Sequence, residues 1–262
     1  GITDSRTHAP ESIKEEKEKR KMRSFKQHSF DRDHELALIE NFMREGVNDP
    51  GIFKAFFTAG GPGSGKSYVA QNIGAGGSAR GMSPYGLKVI DSDPLFKQML
   101  RQVNLTAKPE DIFSPKGQEV RGKAKALTKK QQANYIEGRL GLLIDGTGKD
   151  YAKIKKMSDA LRGIGYDTFM LFVNTSLDVA IERDKMRDRT LGAEEVEKMW
   201  TPVQKNMGKF QGYFGRENFI LIDNNNATED VFQKLFIQIG RLIKKTPSSR
   251  AANAWIKSQR MG

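Results

Sequence analysis

The 262-residue sequence predicts an α/β fold, with a doubly wound parallel sheet of five strands and helices on both of its faces. Five short apolar, β-prone runs recur between residues 52 and 222, and a stretch with helical periodicity follows each of them. Parallel strands need crossover connections, and helices supply them, so this alternation favours a parallel sheet. The composition, 37% hydrophobic and 29% charged, is sufficient for one domain with a full core.

The predicted elements alternate along the chain from residue 52 onward. The strands are residues 52–58, 87–90, 140–144, 168–173 and 219–222. The helices are residues 68–73, 95–103, 151–164, 177–186, 193–214 and 228–245. The last of these repeats apolar residues at helical spacing, which indicates a face packed on the core.

Composition divides the chain into three segments. Residues 1–50 form a charged arm that ends in a short amphipathic helix, and residues 51–246 form the α/β domain. Within that domain, the Lys- and Gln-rich residues 104–139 interrupt the alternation, so we expect an acceptor-binding insertion over 94–139. Residues 183–192 are interpreted as a lid, and residues 247–262 as a basic C-terminal tail.

Several classes of site are excluded by composition. The chain has no cysteine, which rules out disulfides, zinc–thiolate sites, iron–sulfur clusters and a cysteine nucleophile. Its three histidines, His8, His28 and His34, do not suit a three-histidine metal centre, so a bound metal would be held by oxygen. The sequence shows neither a membrane-length apolar run nor a secretory signal, and we expect a cytoplasmic protein.

The net charge of +12 is unevenly distributed. Residues 94–139 carry 10 basic and 4 acidic side chains, and residues 238–262 carry 6 and 0, whereas residues 1–50 carry 10 and 11. Basic segments of this kind suit a polyanionic partner such as nucleic acid, but they also serve solubility. Charge alone therefore leaves both interpretations open.

A phosphate-binding loop is the most specific motif in the sequence. Its glycines allow backbone N–H groups to point at phosphate oxygens, and the helix that follows adds its positive end. The pattern predicts that Lys66 reaches the terminal phosphates of ATP and that the Ser67 hydroxyl binds Mg²⁺. The predicted nucleotide-binding residues are Gly60, Gly61, Pro62, Gly63, Ser64, Gly65, Lys66, Ser67 and Tyr68.

Three aspartates follow the second and third predicted strands. In a doubly wound sheet the carboxyl ends of the strands face the ligand crevice, so Asp91, Asp93 and Asp145 should gather near the phosphates. Asp93 is the predicted general base, because a carboxylate there can take a proton from an attacking hydroxyl. Asp93 also precedes Pro94 in a good N-cap arrangement, and strand alternation should point Asp91 to the opposite side.

Arginines after the fourth strand are candidate lid residues. Arg183, Arg187 and Arg189 could stabilise the charge that spreads over a phosphoryl group in transfer. The alternative is a solvated helix in which these arginines pair with Asp184 and Asp188.

Four blocks together resemble the zeta toxin family of phosphate-loop kinases. They are residues 60–67, 89–98, 143–149 and 181–190, and the resemblance extends over residues 52–224. It implies a sheet of the P-loop kinase type, Lys66 on the transferred phosphate, Asp93 as base, and Arg183 and Arg189 at the transition state. By the same resemblance Asp145, Thr147 and Lys149 line the acceptor pocket, and the acceptor is a hydroxyl of a UDP-linked amino sugar.

Two other functions remain open from the sequence. Phage kinases that phosphorylate a polynucleotide 5′-hydroxyl or a hydroxymethylated DNA base share the loop, the aspartate and the lid arginines, and would profit from the basic segments. A nucleotide-gated binding module without transfer chemistry would keep Lys66 but would not need Asp93. Nothing in the sequence indicates an antitoxin.

Overall fold

The computed structural model of the protein describes residues 46–70, 85–186 and 190–261. The predicted arm and helix before residue 46 lie outside these residues. The predicted 68–73 helix is described only as far as Ala70.

The described residues contain a five-stranded parallel sheet. Its strands are β1 (Lys54–Ala59), β2 (Lys88–Ile90), β3 (Leu142–Ile144), β4 (Asp167–Asn174) and β5 (Phe219–Asp223), in the order β2-β3-β1-β4-β5. The chain thus passes from β1 to the edge strand β2, returns through β3, and then adds β4 and β5 on the other side of β1, which makes the sheet doubly wound. The predicted fold class is confirmed.

Helices connect the strands and follow the last one. They are α1 (Lys66–Ala70), α2 (Asp93–Gln102), α3 (Pro109–Ile112), α4 (Pro115–Glu137), α5 (Tyr151–Gly163), α6 (Leu177–Lys185), α7 (Ala193–Phe214), α8 (Glu229–Lys244) and α9 (Arg250–Met261).

Side chains of β4 alternate between the two faces of the sheet. Met170 and Phe172 belong to one core cluster, which α5, α7 and α9 complete. Phe169, Leu171 and Val173 belong to the other cluster, which α1 and α8 complete. A strand buried on both faces reads as a continuous apolar run, and this is why the sequence showed β4 so clearly.

The Lys-rich insertion forms α3 and α4, which the sequence did not predict as helices. The buried residues of α4 are Gly117, Val120, Ala124 and Thr128. Val120 and Ala124 belong to a small separate core with Phe96 and Leu100. Small and polar residues make up most of that buried face, so α4 has no apolar stripe for periodicity to detect.

The tail beyond Pro247 forms α9, which packs at the amino ends of the strands. Ala252 is fully buried, and the ring of Trp255 lies edge-on to Phe53 at 5.5 Å between centroids. Phe53 directly precedes β1, so α9 lies at the end of the sheet opposite to the loop that follows β1. Among the described residues, no helix is both long and apolar enough to cross a bilayer.

A buried ion pair joins β1, β4 and the segment before α9. Lys54 and Asp167 are partners in the β1–β4 register, and Lys54 Nζ lies 2.5 Å from Asp167 Oδ2. The Ser248 hydroxyl donates to the same carboxylate. Burial lowers the pKa of Lys54, and the hydrogen bond to Asp167 opposes that shift. The pair therefore fixes register at the amino end of the sheet.

Candidate active site

The phosphate-binding loop connects the carboxyl end of β1 to α1, as the sequence predicts. Gly63 and Gly65 have positive φ values of 68° and 81°, a region that side chains with a Cβ rarely adopt. Gly60 N donates to Thr147 O at 3.1 Å, so the loop is joined to the segment after β3. The glycines thus allow the chain to turn sharply into α1, the conformation in which a loop of this kind cradles phosphate.

Asn224 and Arg183 hold the loop from the β5 side. Asn224 Nδ2 donates to Ser64 O at 2.7 Å, and the Arg183 guanidinium donates to Gly63 O at 3.1 Å and to Asn224 O at 2.7 Å. A Cβ on Gly65 would lie 2.2 Å from Asn224 Nδ2, so only glycine fits beside this amide. Asn224 is not among the residues that the sequence predicts at this site; the polar run that ends β5 at the carboxyl edge is the signal that points to it.

Trp200 of α7 supports the first part of the loop. Its indole Nε1 donates to Thr175 O at 2.9 Å, and a Cβ on Gly61 would lie 3.1 Å from Trp200 Cδ1. From the same helix, Asn206 Nδ2 donates to Gly148 O and Lys149 O at 3.0 and 2.9 Å. The α7 helix therefore positions both the loop and the segment after β3, a role that its sequence did not reveal.

Lys66 contacts Asp145 directly. Lys66 Nζ lies 2.7 and 2.8 Å from the two carboxylate oxygens of Asp145, and the Thr58 hydroxyl also donates to that carboxylate at 2.5 Å. The side chains of Lys66 and Asp145 are 14% and 21% exposed, so a ligand can reach the pair. The lysine of the loop and the carboxylate after β3 meet at one point, as the strand order requires.

A cavity of about 390 Å³ lies beside this ion pair. Carboxylates after β2 and β3 line one part of it, and lysines of α4, α5 and the loop before α5 line another. Its floor is apolar. The lining residues used below are the acids Asp91, Asp145 and Asp150, the lysines Lys125, Lys129, Lys149 and Lys153, and the floor residues Phe57, Ile90, Ile144, Ile154 and Met157.

Asp91 and Asp93 occupy different positions from those expected. Asp91 lines the cavity rather than pointing away, because β2 ends at Ile90 and strand alternation no longer applies beyond it. Asp91 Oδ1 accepts the N–H of Asp93 at 2.9 Å, and burial raises the pKa of the Asp91 carboxyl. Asp93 is the first residue of α2, after the N-cap position of Ser92, and unlike Asp91 and Asp145 it is not a lining residue of the cavity. Its exposed carboxylate accepts no hydrogen bond from the described part of the chain, so Asp93 does not cap α2.

Arg183 does not form the surface ion pair with Asp184 that the solvated-helix alternative predicts. Asp184, the next residue, is 1% exposed and accepts the N–H groups of Leu191 and Gly192 at 2.8 and 3.0 Å. Arg183 donates instead to the backbone carbonyls of the phosphate-binding loop and of residues 224 and 225. Arg187 and Arg189 lie outside the described residues.

The remaining predicted residues lie around the loop and the cavity. Thr147 and Lys149 are exposed residues of the cavity lining. The exposed Ser67 and Tyr68 are at the start of α1, where the Tyr68 ring packs edge-on against Phe232 at 4.9 Å.

The donor set fits Mg²⁺ bound together with a nucleotide. The exposed Ser67 hydroxyl and the carboxylates of Asp91 and Asp145 are oxygen donors at the same edge of the sheet. In residues 46–70, 85–186 and 190–261, no three acidic or histidine side chains cluster into an all-protein metal site. Mg²⁺ usually takes one or two protein oxygens and completes its shell with phosphate oxygens and water, which matches this arrangement.

Comparison with known proteins gives a family match and several similar folds. Similar solved structures include shikimate kinase from Bacteroides thetaiotaomicron, at 12% identity over 73% of this chain and 99% of that chain, with a TM-score of 0.46. A gluconokinase from Sinorhizobium meliloti 1021 has 14% identity, coverage of 79% and 98%, and a TM-score of 0.43. A structure of the PezAT toxin–antitoxin system of Streptococcus pneumoniae has 17% identity, coverage of 81% and 94%, and a TM-score of 0.48.

Among curated protein sequences, none matches this chain significantly. The model of the zeta toxin family matches residues 46–234, which is more than half of the chain and includes the loop, the cavity-lining segments and Arg183. The chain therefore belongs to the zeta toxin family and is, on that ground, a nucleotide-dependent kinase.

Proposed function

We propose that the protein is an ATP- and Mg²⁺-dependent kinase that transfers the γ-phosphate to an alcohol hydroxyl of a phosphate-containing acceptor, of the UDP-amino-sugar kind. One contact carries the proposal: Lys66 Nζ lies 2.7 Å from Asp145 Oδ1, and Asp145 also lines the cavity. A phosphate bound at Lys66 would therefore lie at the wall of a cavity large enough for a small acceptor. Transfer between two substrates needs this juxtaposition.

The proposed transfer requires little covalent chemistry from the protein itself. The acceptor hydroxyl gives its proton to a carboxylate, its oxygen bonds to the γ-phosphorus, and the bond from that phosphorus to the ADP oxygen breaks. We assign the proton to Asp93, whose exposed carboxylate has no hydrogen-bond donor in the described residues. Asp91 Oδ1 accepts the backbone N–H of Asp93 at 2.9 Å and thereby positions the Asp93 backbone. Mg²⁺, held through Ser67 and the phosphates, would neutralise charge on the β- and γ-phosphate oxygens.

Cations beside the loop support the same step. Lys66 would exchange Asp145 for the γ-phosphate, and Arg183 lies against the loop through its bond to Gly63 O. Positive charge beside the loop stabilises the phosphoryl group most during transfer, when negative charge spreads over its oxygens. Arg189 keeps its proposed role at the transition state from the family resemblance alone. Asp145, Thr147 and Lys149 are proposed to contact the acceptor.

A small acceptor is favoured over nucleic acid. The two basic segments of the sequence lie at opposite ends of the sheet: the insertion lines the cavity at the carboxyl edge, while α9 packs at the amino edge. The six residues of β1 separate these edges by about 20 Å. The tail is thus poorly placed to present a nucleic-acid acceptor to Lys66.

The test is a transfer screen with ATP labelled at the γ-phosphate. UDP-N-acetylglucosamine, free N-acetylglucosamine, nucleosides and oligonucleotides with a 5′-hydroxyl are offered in turn, and the labelled product is identified. We expect label on the sugar nucleotide. The Lys66→Ala variant should give none, because its alanine cannot hold the phosphates, while its melting temperature should fall little since the lost ion pair is partly exposed.

Binding of ATP without transfer to any alcohol would contradict the proposal and favour a nucleotide-gated binding module. Label on a 5′-hydroxyl alone would favour the nucleic-acid kinase.

A further inference from the structure

The long helix of the insertion presents two lysines to the cavity. Lys125 and Lys129 of α4 line it, one helical turn apart, and Lys149 and Lys153 line it as well. In the described part of the chain, these four lysines form no ion pair. Four like charges around one cavity repel each other, so an anionic ligand would relieve that repulsion.

The outer side of α4 is different. Lys116 and Lys123 flank Glu119, whose carboxylate lies 3.0 and 2.7 Å from their Nζ atoms. Neither of these lysines lines the cavity, and nor does Lys130. In the described part of the chain, two lysines on the outer side of α4 therefore form ion pairs, whereas Lys125 and Lys129 on the side of the cavity form none.

The acidic and basic residues of the cavity are unevenly distributed around its lining. Two of its acids, Asp91 and Asp145, lie at the ends of β2 and β3 beside Lys66. Its lysines lie on α4, on α5 and, together with the third acid, Asp150, in the loop before α5. An alcohol that carries an anionic group would place its hydroxyl at Asp91 and Asp145, next to the transferred phosphate. Its anionic group would then lie at the lysines.

We propose that Lys125 and Lys129 bind the phosphate or diphosphate group of the acceptor and thereby select phosphorylated alcohols over neutral ones. This assignment rests on the proposed kinase function and names the residues that recognise the acceptor. Side chains four residues apart on a helix have Cβ atoms about 6 Å apart, so two ammonium groups can converge on adjacent phosphoryl groups. The apolar floor, with Ile144, Ile154 and Met157, would contact the uncharged part of the acceptor.

Acceptor binding is measured by calorimetry with the nucleotide site saturated by a non-hydrolysable ATP analogue. The double variant Lys125→Gln/Lys129→Gln should raise the Kd for UDP-N-acetylglucosamine about tenfold or more, because each charge-assisted contact to phosphate is lost. In turnover, the KM for this acceptor should rise in parallel. The KM for ATP should not change.

The matched control is Lys123→Gln/Lys130→Gln, which removes the same charge from the same helix but outside the cavity. Its Kd and KM should equal those of the wild type. Free N-acetylglucosamine supplies a second control, since a neutral acceptor should be bound equally by the wild type and both variants.

Each contrary outcome is informative. If the wild type transfers phosphate to the sugar nucleotide and the cavity-facing double variant keeps its Kd and KM, the role of Lys125 and Lys129 is refuted and the kinase function stands. Preferred transfer to a neutral alcohol, or to a DNA 5′-hydroxyl, refutes that role likewise. If the wild type transfers phosphate to no alcohol, the proposed function itself fails, and the acceptor assignment fails with it.

Discussion

Asp145 lies between Lys66 of the phosphate-binding loop and the cavity. Its carboxylate accepts from Lys66 and from the Thr58 hydroxyl, and it also lines the cavity. A γ-phosphate offers Lys66 more negative charge than this carboxylate does. Binding of ATP would therefore release Asp145 toward the acceptor, which explains how one residue can serve a nucleotide-free ion pair and a substrate contact.

The first prediction separates the two carboxylates after β2. Asp93→Asn should lower turnover by about 10² to 10⁴ while leaving ATP affinity near that of the wild type, because an amide keeps the size of the side chain but cannot take a proton. Asp91→Asn should lower turnover less, since its amide oxygen can still accept the Asp93 N–H. Turnover and ATP binding are measured for both variants.

The opposite ranking would identify Asp91 as the base. Its pKa is raised by burial, so a base at this position would require a higher pH than an ordinary aspartate to be ionised. The acid limb of the pH–rate profile would then lie above the usual aspartate range and would disappear in Asp91→Asn.

The sequence predicts most of the residues that carry chemical groups at the site, but it does not predict which atoms those groups contact. The loop motif and the aspartates after β2 and β3 follow from strand ends, because parallel strands bring these ends to one edge. The support from Asn224 and Trp200 was missed, since it depends on which backbone carbonyls the side chains reach. Arg183 was identified, but its contact with Gly63 O could only come from the structure.

At the scale of elements, the loop depends on β5 as well as on β1. Asn224 is 8% exposed and donates to Ser64 O, so Asn224→Ala would leave a carbonyl of the loop without this donor. Loss of such a partner costs about 1–3 kcal/mol. We expect a lower melting temperature and weaker ATP binding together, because the loop geometry that cradles the phosphates is disturbed.

Asn226→Ala is the control for this variant, since Asn226 is exposed two residues further on. It should behave as the wild type in both measurements. Unchanged ATP affinity in Asn224→Ala would show that the loop keeps its geometry without the amide.

The outer side of α4 gives a prediction on pH. Hydrogen bonds from Lys123 and Lys116 lower the pKa of Glu119 to about 2, below the ordinary glutamate pKa of 4.5 that applies in the unfolded chain. Its contribution to stability is therefore fully present above about pH 4.5 and is lost as the pH falls toward 2. The melting temperature of Glu119→Gln should lie slightly below that of the wild type at pH 6, and the difference should shrink at pH 3.

Glu137 on the same helix forms no ion pair in the described residues, so Glu137→Gln should not show this pattern. A difference between Glu119→Gln and the wild type that persists undiminished at pH 3 would contradict the assignment.

Elements with strong apolar patterns were predicted closely, and those that bury small residues were not. The α7 helix has the bounds that periodicity gave, 193–214, and α8 differs by one residue at each end. The α4 helix buries Gly117, Ala124 and Thr128, which carry no periodic apolar signal. The α9 helix is anchored by Trp255 on Phe53, a contact between residues distant in sequence.

At the scale of the whole molecule, the sheet separates two basic surfaces. The lysines of the insertion line the cavity at the carboxyl edge, whereas Arg250, Lys257 and Arg260 are exposed on α9 at the amino edge. Charge summed over the sequence cannot make this distinction, because it depends on which end of the strands each segment packs against. The two surfaces can therefore be tested independently.

Neutralising the α9 surface should leave catalysis on a small acceptor unchanged. The variant Arg250→Gln/Lys257→Gln/Arg260→Gln changes only exposed side chains, about 20 Å from the loop along β1, so its kcat, its KM for the acceptor and its melting temperature should equal those of the wild type. Deletion of residues 247–262 is a poorer test, because loss of Trp255 exposes Phe53 and should lower stability by about 2 kcal/mol or more.

The same variant decides whether α9 binds nucleic acid. Binding of single-stranded and duplex DNA by the wild type and the variant is measured at about 50 and 200 mM salt. If α9 contacts phosphates, the wild-type affinity should fall steeply between these concentrations, and each neutralised contact should reduce the slope of log K against log salt by about 0.7 to 0.9. Equal slopes for the two proteins would exclude α9 as the DNA-binding surface. A raised KM of the variant for the sugar nucleotide would instead contradict the separation of the two edges, since only a direct or transmitted contact with the cavity could produce it.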